Sequence, residues 1–139
     1  MAFEEYVTSN GERLRRGYTT GTCAALAAKA AAELLLNGTA SESVSVLTPA
    51  GVTVTVQPEE VRCCDSGSAA ASVAAARATA GNATRDAASS TANATGPTAH
   101  ATIIKDAGDD YDVTNGTRVC AFVTLCDQDI SIDGGIGVG

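Results

Sequence analysis

The chain of 139 residues has no tryptophan, three tyrosines, two phenylalanines, one methionine and one histidine. With so few aromatics, any hydrophobic core has to be built from Ala, Val, Ile and Leu. No run of about 18 apolar residues occurs, which excludes a helix that spans a bilayer. The first fifteen residues, MAFEEYVTSNGERLR, mix charges of both signs without an apolar block and do not read as a secretory signal. Basic residues are also scarce: nine Lys and Arg stand against 16 Asp and Glu, a net charge of −7, and the only basic cluster is Arg13, Arg15 and Arg16. A nucleic-acid surface concentrates Lys and Arg and is not expected here. The five cysteines, Cys23, Cys63, Cys64, Cys120 and Cys126, form no C-x-x-C pair, and one histidine makes a zinc site a poor fit. An odd cysteine count without a signal peptide reads as reduced thiols. The expectation is a soluble, cytoplasmic protein with no membrane partner, no nucleic acid and no metal of its own.

What is present is organised. Gly17-Tyr18-Thr19-Thr20-Gly21-Thr22 leads into Cys23–Leu36, a run of strong helix formers. Thr20 or Thr22 can cap that helix, and Asn37-Gly38 ends it. Its many alanines predict a helix lying close against a sheet. Val44 and Val46 alternate with serines, Thr48-Pro49-Ala50-Gly51 is a turn, and Val52–Val56 alternates again, so 43–57 reads as a β-hairpin. Val61–Cys64 extends the strand pattern. Residues 1–16 are polar and carry no assignment.

Residues 66–99 differ in kind. They are almost entirely Ala, Ser, Thr, Gly and Asn, with Val73 the only large apolar residue. Such a segment cannot anchor itself in a core and reads as a low-complexity surface insertion in a single domain spanning 1–139. Strand signals return at Ala101–Lys105, at Arg118–Leu125 and at Ile130–Ile132. Because Arg118–Leu125 is apolar on both faces, it is expected at the centre of the sheet. Strands outnumber helices without alternating with them, so the class is α+β, a mixed or antiparallel sheet with a packed N-terminal helix, and not a Rossmann fold.

Three segments can carry chemistry. GYTTGTCAA, at Gly17–Ala25, opens a helix and offers amides, hydroxyls and the positive end of a helix dipole to an anion. It lacks the lysine of a P-loop, and the plainer reading is a capped helix. KDAGDDYD, at Lys105–Asp112, sets four aspartates in seven residues after a strand. They can bind a cation, act as a general base, or form a solvated turn. IDGGIGVG, at Ile132–Gly139, lets backbone approach a ligand closely, or simply ends a strand in glycines.

The wording and order of these motifs carry more. GYTTGTCAALAAKAA, then IIKDAGDDYDVTNG, then ISIDGGIGVG resembles the cobalt-precorrin-5B C1-methyltransferase family (CbiD) over Leu14 to about Val61 and His100 to Gly139. The resemblance implies transfer of a methyl group from S-adenosylmethionine to C1 of a cobalt-bound corrin precursor in anaerobic cobalamin biosynthesis. It also implies a fold like the second domain of the fifth protein of the small ribosomal subunit, and a further C-terminal region in family members. A corrin precursor bears many carboxylates, so Arg16, Thr19, Thr20, Thr22, Lys105 and Asp106 become candidate substrate-binding residues. Asp109 and Asp110 become candidate catalytic carboxylates, and Gly134, Gly135 and Gly137 candidate contacts to the methyl donor. Cobalt enters only as part of the substrate. The alternative is a non-catalytic module that binds a metal or an anionic ligand through the Asp loop at 106–112.

Overall fold

The computed structural model describes residues 4–64, 96–127 and 129–135. Nearly all of the 66–99 insertion, together with Gly137, lies outside them. The described part is α+β: strands β1 (Tyr6–Ser9) and β2 (Glu12–Arg15), helix α1 (Thr20–Asn37), then strands β3 (Val44–Leu47), β4 (Thr53–Val56), β5 (Glu60–Cys64), β6 (Thr98–Ile104) and β7 (Arg118–Thr124). None of its helices is long and apolar enough to cross a membrane.

The N-terminal residues left unassigned by pattern form an antiparallel hairpin in which Ser9 faces Glu12 and Tyr6 faces Arg15. The two-residue turn is Asn10-Gly11, both at positive φ (51° and 83°), the backbone twist that suits the right-handed twist of the flanking strands. The hydrophobic pattern of this hairpin is weak, which hides it; the Asn-Gly pair was the available signal.

Helix α1 starts at Thr20 rather than Cys23, and its cap is Thr19 rather than Thr20 or Thr22. Thr19 Oγ1 accepts from the Thr22 amide at 3.1 Å. At the other end Gly38 takes the left-handed conformation (φ 72°) and donates its amide to Leu34. The buried face consists of Cys23, Leu26, Ala27, Ala30, Ala31 and Leu34. It packs with Val44, Val54 and Val56 of the β3–β4 hairpin and with Ala99, Ala101 and Ile103 of β6. Alanine on both the helix and the strand makes this a core built largely of small side chains.

The chain divides into two compact units. The first takes in the chain up to Cys63 and Ala99–Val123. The second takes in Cys64, 96–98 and the chain from Thr124. In the first, β3 and β4 pair antiparallel with Val44 opposite Val56, as a sheet of their own. Besides this sheet and the β1–β2 pair, a three-stranded sheet has the order β5-β6-β7.

The structure departs from three expectations. Arg118–Leu125 is not the central strand: β7 lies at the edge of its sheet, and β6 is central and buried along all but its last residue. Apolar residues on both faces misled. Val119, Ala121 and Val123 pack toward the core, whereas Phe122 and Cys120 occupy the opposite, partly open face. The central strand instead starts at Thr98, inside the stretch read as insertion, because small polar and alanine residues can be buried without a hydrophobic signature. Ile130–Ile132 is no strand; Ile130 and Ile132 are each 92% exposed. In the second unit, Thr98 and Thr124 hydroxyls lie 2.8 Å apart.

Candidate functional site

The turn between β2 and α1 and the loop after β6 are locked together. Tyr18 donates its amide to the Asp106 carbonyl (2.9 Å), and Asp109 donates its amide to the Arg15 carbonyl (3.0 Å). In return the Arg15 amide donates to Asp109 Oδ2 at 2.7 Å. The Arg15 guanidinium forms a two-pronged pair with Asp106, Nη1 to Oδ2 at 2.6 Å and Nη2 to Oδ1 at 2.8 Å. Planar fork against planar carboxylate is the geometry that favours arginine over lysine. The pair holds the Asp106 carboxyl below its ordinary range and the Arg15 guanidinium above its own.

Two glycines make this approach possible. A Cβ on Gly17 would fall inside the Ala107 backbone. One on Gly108, at φ +67°, would collide with the Arg15 carbonyl and come within 2.6 Å of Arg16 C and Gly17 N. Only residues without a side chain let the segments pair here, as Arg16 and Gly108 do in a single β-bridge.

The loop is braced from its far side as well. Lys105 is buried, its ammonium paired with Asp112 and bonded to Thr114. Asp112 also accepts from the Thr114 amide at 2.8 Å, and these donors, Lys105 first, hold its carboxyl far below the usual range. Asn115 Oδ1 accepts from the Ala107 amide at 3.0 Å. Tyr18 O–H donates to the Ile104 carbonyl at 2.9 Å, and burial pushes its phenol up to about 12. Behind the helix start, Cys23 is fully buried and its thiol is pushed up to about 11, so it stays protonated at neutral pH.

The candidate residues are therefore placed as follows. Thr19 and Thr22 share their hydroxyls in the cap, 3.1 Å apart. Thr20 and Gly21 are exposed in the first turn, whose amides a helix cannot satisfy internally. Arg16 is exposed and paired with Glu5 at 3.3 Å. Lys105, Asp106, Asp109 and Asp112 are engaged inside the loop. Asp110 is exposed, and among the described residues its carboxylate has no partner. Next to it, Tyr111 is 98% exposed. Gly134 and Gly135 lie exposed in the second unit, and nothing lies within 4 Å of a Cβ built on Gly135. Among the described residues, no three His, Cys, Asp or Glu side chains gather as metal ligands.

Arg15 as the partner of Asp106, Tyr18 as an anchor and Asn115 as a brace were not singled out from sequence. Arg15 and Tyr18 act through contacts 91 and 86 residues away in the chain, whereas Asn115 braces Ala107 only eight residues away. Local spacing carries no signal for the two distant pairs.

These features define an α+β protein whose best-built surface is a helix start clamped to an aspartate-rich loop. The profile of the CbiD family matches residues 7–92 and 79–139, and the chain belongs to that family. It is 37% identical over 131 residues to the cobalt-precorrin-5B C(1)-methyltransferase of Photorhabdus laumondii, covering 94% of this chain and 26% of that one. To the protein of the same name from Citrobacter koseri it is 36% identical over 140 residues, covering 100% of this chain and 29% of the relative. The corresponding protein of Ruminiclostridium cellulolyticum is 34% identical over 139 residues, with 98% and 27% covered. The chain thus spans between a quarter and a third of the length of these relatives. No solved structure matches it.

Proposed function

We propose that this chain forms the N-terminal part of a cytoplasmic enzyme that methylates C1 of cobalt-precorrin-5B, with S-adenosylmethionine as methyl donor, in anaerobic cobalamin biosynthesis. The relatives' names support the reaction. The structural observation that carries the site is the clamp of Gly17–Tyr18 against Asp106–Gly108, which puts the open helix start and the Asp loop in one unit.

In this reading the first-turn amides at Thr20 and Gly21, with Arg16 nearby in sequence, receive carboxylates of the corrin rim. Thr19 and Thr22 hold the helix start in shape. Asp110, whose carboxylate is uncommitted, stands beside the sulfonium cation or accepts a proton, while Asp109 positions the Arg15 backbone. Lys105 and Asp106 act by fixing the loop, with any substrate contact made at its surface. Backbone at Gly134, Gly135 and Gly137 is assigned to the donor. Methyl transfer requires carbon, methyl and sulfur in line, so fixed placement is the main contribution asked of the protein. The family resemblance also carries the expectation of a fold like the second domain of the fifth small-subunit ribosomal protein.

The metal-binding alternative has less support. Asp106, Asp109 and Asp112 already serve Arg15, Lys105 and Thr114. A chimaera tests the proposal: this chain replaces the matching segment of the Citrobacter koseri protein, and methyl transfer to cobalt-precorrin-5B is followed. A folded chimaera that transfers methyl supports the reading; a folded but inactive one refutes it.

A further inference from the structure

The face of the β5-β6-β7 sheet turned away from α1 holds a second group of charged side chains, apart from the clamp. His100, in the central strand, is buried and stacks on Phe122 of β7, with ring centroids 5.2 Å apart and an interplanar angle of 20°. Its Nε2 lies 3.4 Å from Glu60 Oε2 on β5. Glu60 also pairs with Arg62 and, at 3.8 Å, with Arg118, while Glu59 holds Arg118 at 2.8 Å. The other ring nitrogen, Nδ1, is buried and has no hydrogen-bond partner among the described residues.

This arrangement suits one protonation state. With the proton on Nε2, the N–H lies beside the Glu60 carboxylate, and Nδ1 presents a lone pair that needs no acceptor. A second proton would put a donor on Nδ1 in a buried position where neither carboxylate is available. Glu59 and Glu60 are held by Arg118 and Arg62, and those two guanidiniums would face the new cation. Burial, then Arg62 and Arg118, push the imidazole below its ordinary 6.5. The proximity of Glu60 alone would push it upward, but that charge is already shared by two guanidiniums.

We propose that His100, Glu60 and Arg118 form a proton-sensitive latch that fastens the edge strand β5 to the central strand β6. Near neutral pH the ring sits neutral between Glu60 and Phe122, and the outer strand is held. Protonation drives the ring off Phe122 toward water, frees Glu60 to its arginines, and loosens β5. The latch acts apart from the Gly17–Gly108 clamp, so it does not rest on the proposed reaction.

His100 is the only histidine in the chain, so one imidazole signal reports it without assignment. The experiment follows that signal by NMR from about pH 8 to pH 5, together with amide hydrogen exchange in Glu60–Cys63. The expected result is a midpoint below that of a solvent-exposed histidine. Exchange in β5, corrected for intrinsic chemistry, should rise by up to about tenfold per pH unit as pH falls from about 6.5 to that midpoint, and level off below it. His100→Phe, which keeps a ring against Phe122 but cannot ionise, should abolish the rise; His100→Gln serves if the first variant does not fold. An ordinary midpoint, or the same rise in exchange in either variant, overturns the proposal.

Discussion

Arg15 and Asp106 form a two-pronged ion pair between a hairpin end and a loop far along the chain, with both contacts under 3 Å. The pair sits beside the mutual amide exchange of Arg15 and Asp109, so a rigid seam joins the start of α1 to the end of β6. Its consequences can be measured.

The seam has no room for a methyl group. Gly17→Ala and Gly108→Ala should each cost several kcal/mol, about 2 or more, because backbone must part to admit the Cβ, and at Gly108 the positive φ adds strain. Gly11→Ala, with open space around it, should cost less, about 1 kcal/mol from its φ alone. Urea unfolding of the three variants checks the order. Equal losses would show that conformation, not close approach, governs these positions.

Acid should undo the same seam. Asp106 and Asp112 both have carboxyls lowered by a paired cation, Arg15 for one and Lys105 for the other. Their stabilisation is complete above the unfolded value of about 3.8 and is lost as pH falls through the lower folded values. Stability should therefore fall steeply below about pH 4. Asp106→Asn should flatten that slope, and an unchanged slope would assign the acid sensitivity elsewhere.

Thiol chemistry should divide the cysteines by burial. Cys63, Cys120 and Cys126 are exposed, whereas Cys23 and Cys64 are buried. In the native protein three thiols should react quickly with a disulfide reagent near neutral pH, and Cys23 should wait for unfolding. Fast labelling of Cys23 would mean that the helix start opens far more readily than its packing implies.

Core energetics should centre on Leu26, the largest side chain with no exposure. Leu26→Ala should destabilise by about 2–5 kcal/mol. Leu36→Ala on the same helix, 72% exposed, should change stability by less than about 0.5 kcal/mol. Thermal denaturation distinguishes the two.

In the chimaera, Asp110→Asn should lower kcat by about a hundredfold or more without altering stability. Arg16→Gln, which removes the charge assigned to the substrate carboxylates, should act mainly on KM, as loss of substrate binding does. If Asp110→Asn keeps its rate while Asp109→Asn loses it, the carboxylate that matters is the one on the Arg15 amide, and the loop works by positioning.

Much of this protein could be read from local sequence. The alanine-rich helix with its Asn-Gly stop, the β3–β4 hairpin and the α+β class follow from periodicity and turn residues, which act over a few positions. The Asn10-Gly11 hairpin was equally local and could have been found from its turn chemistry. What tertiary structure alone decided was strand order, burial and the employment of the charges. β6 is central although its first five residues are Thr, Ala and His, because neighbours on both sides bury it; β7 is largely apolar yet lies at an edge. The aspartates looked alike in sequence, and only contacts with Arg15 and Lys105 separated the three that build the loop from Asp110, which faces water. The Arg15 pairings join segments about 90 residues apart, and no periodicity within either segment encodes them.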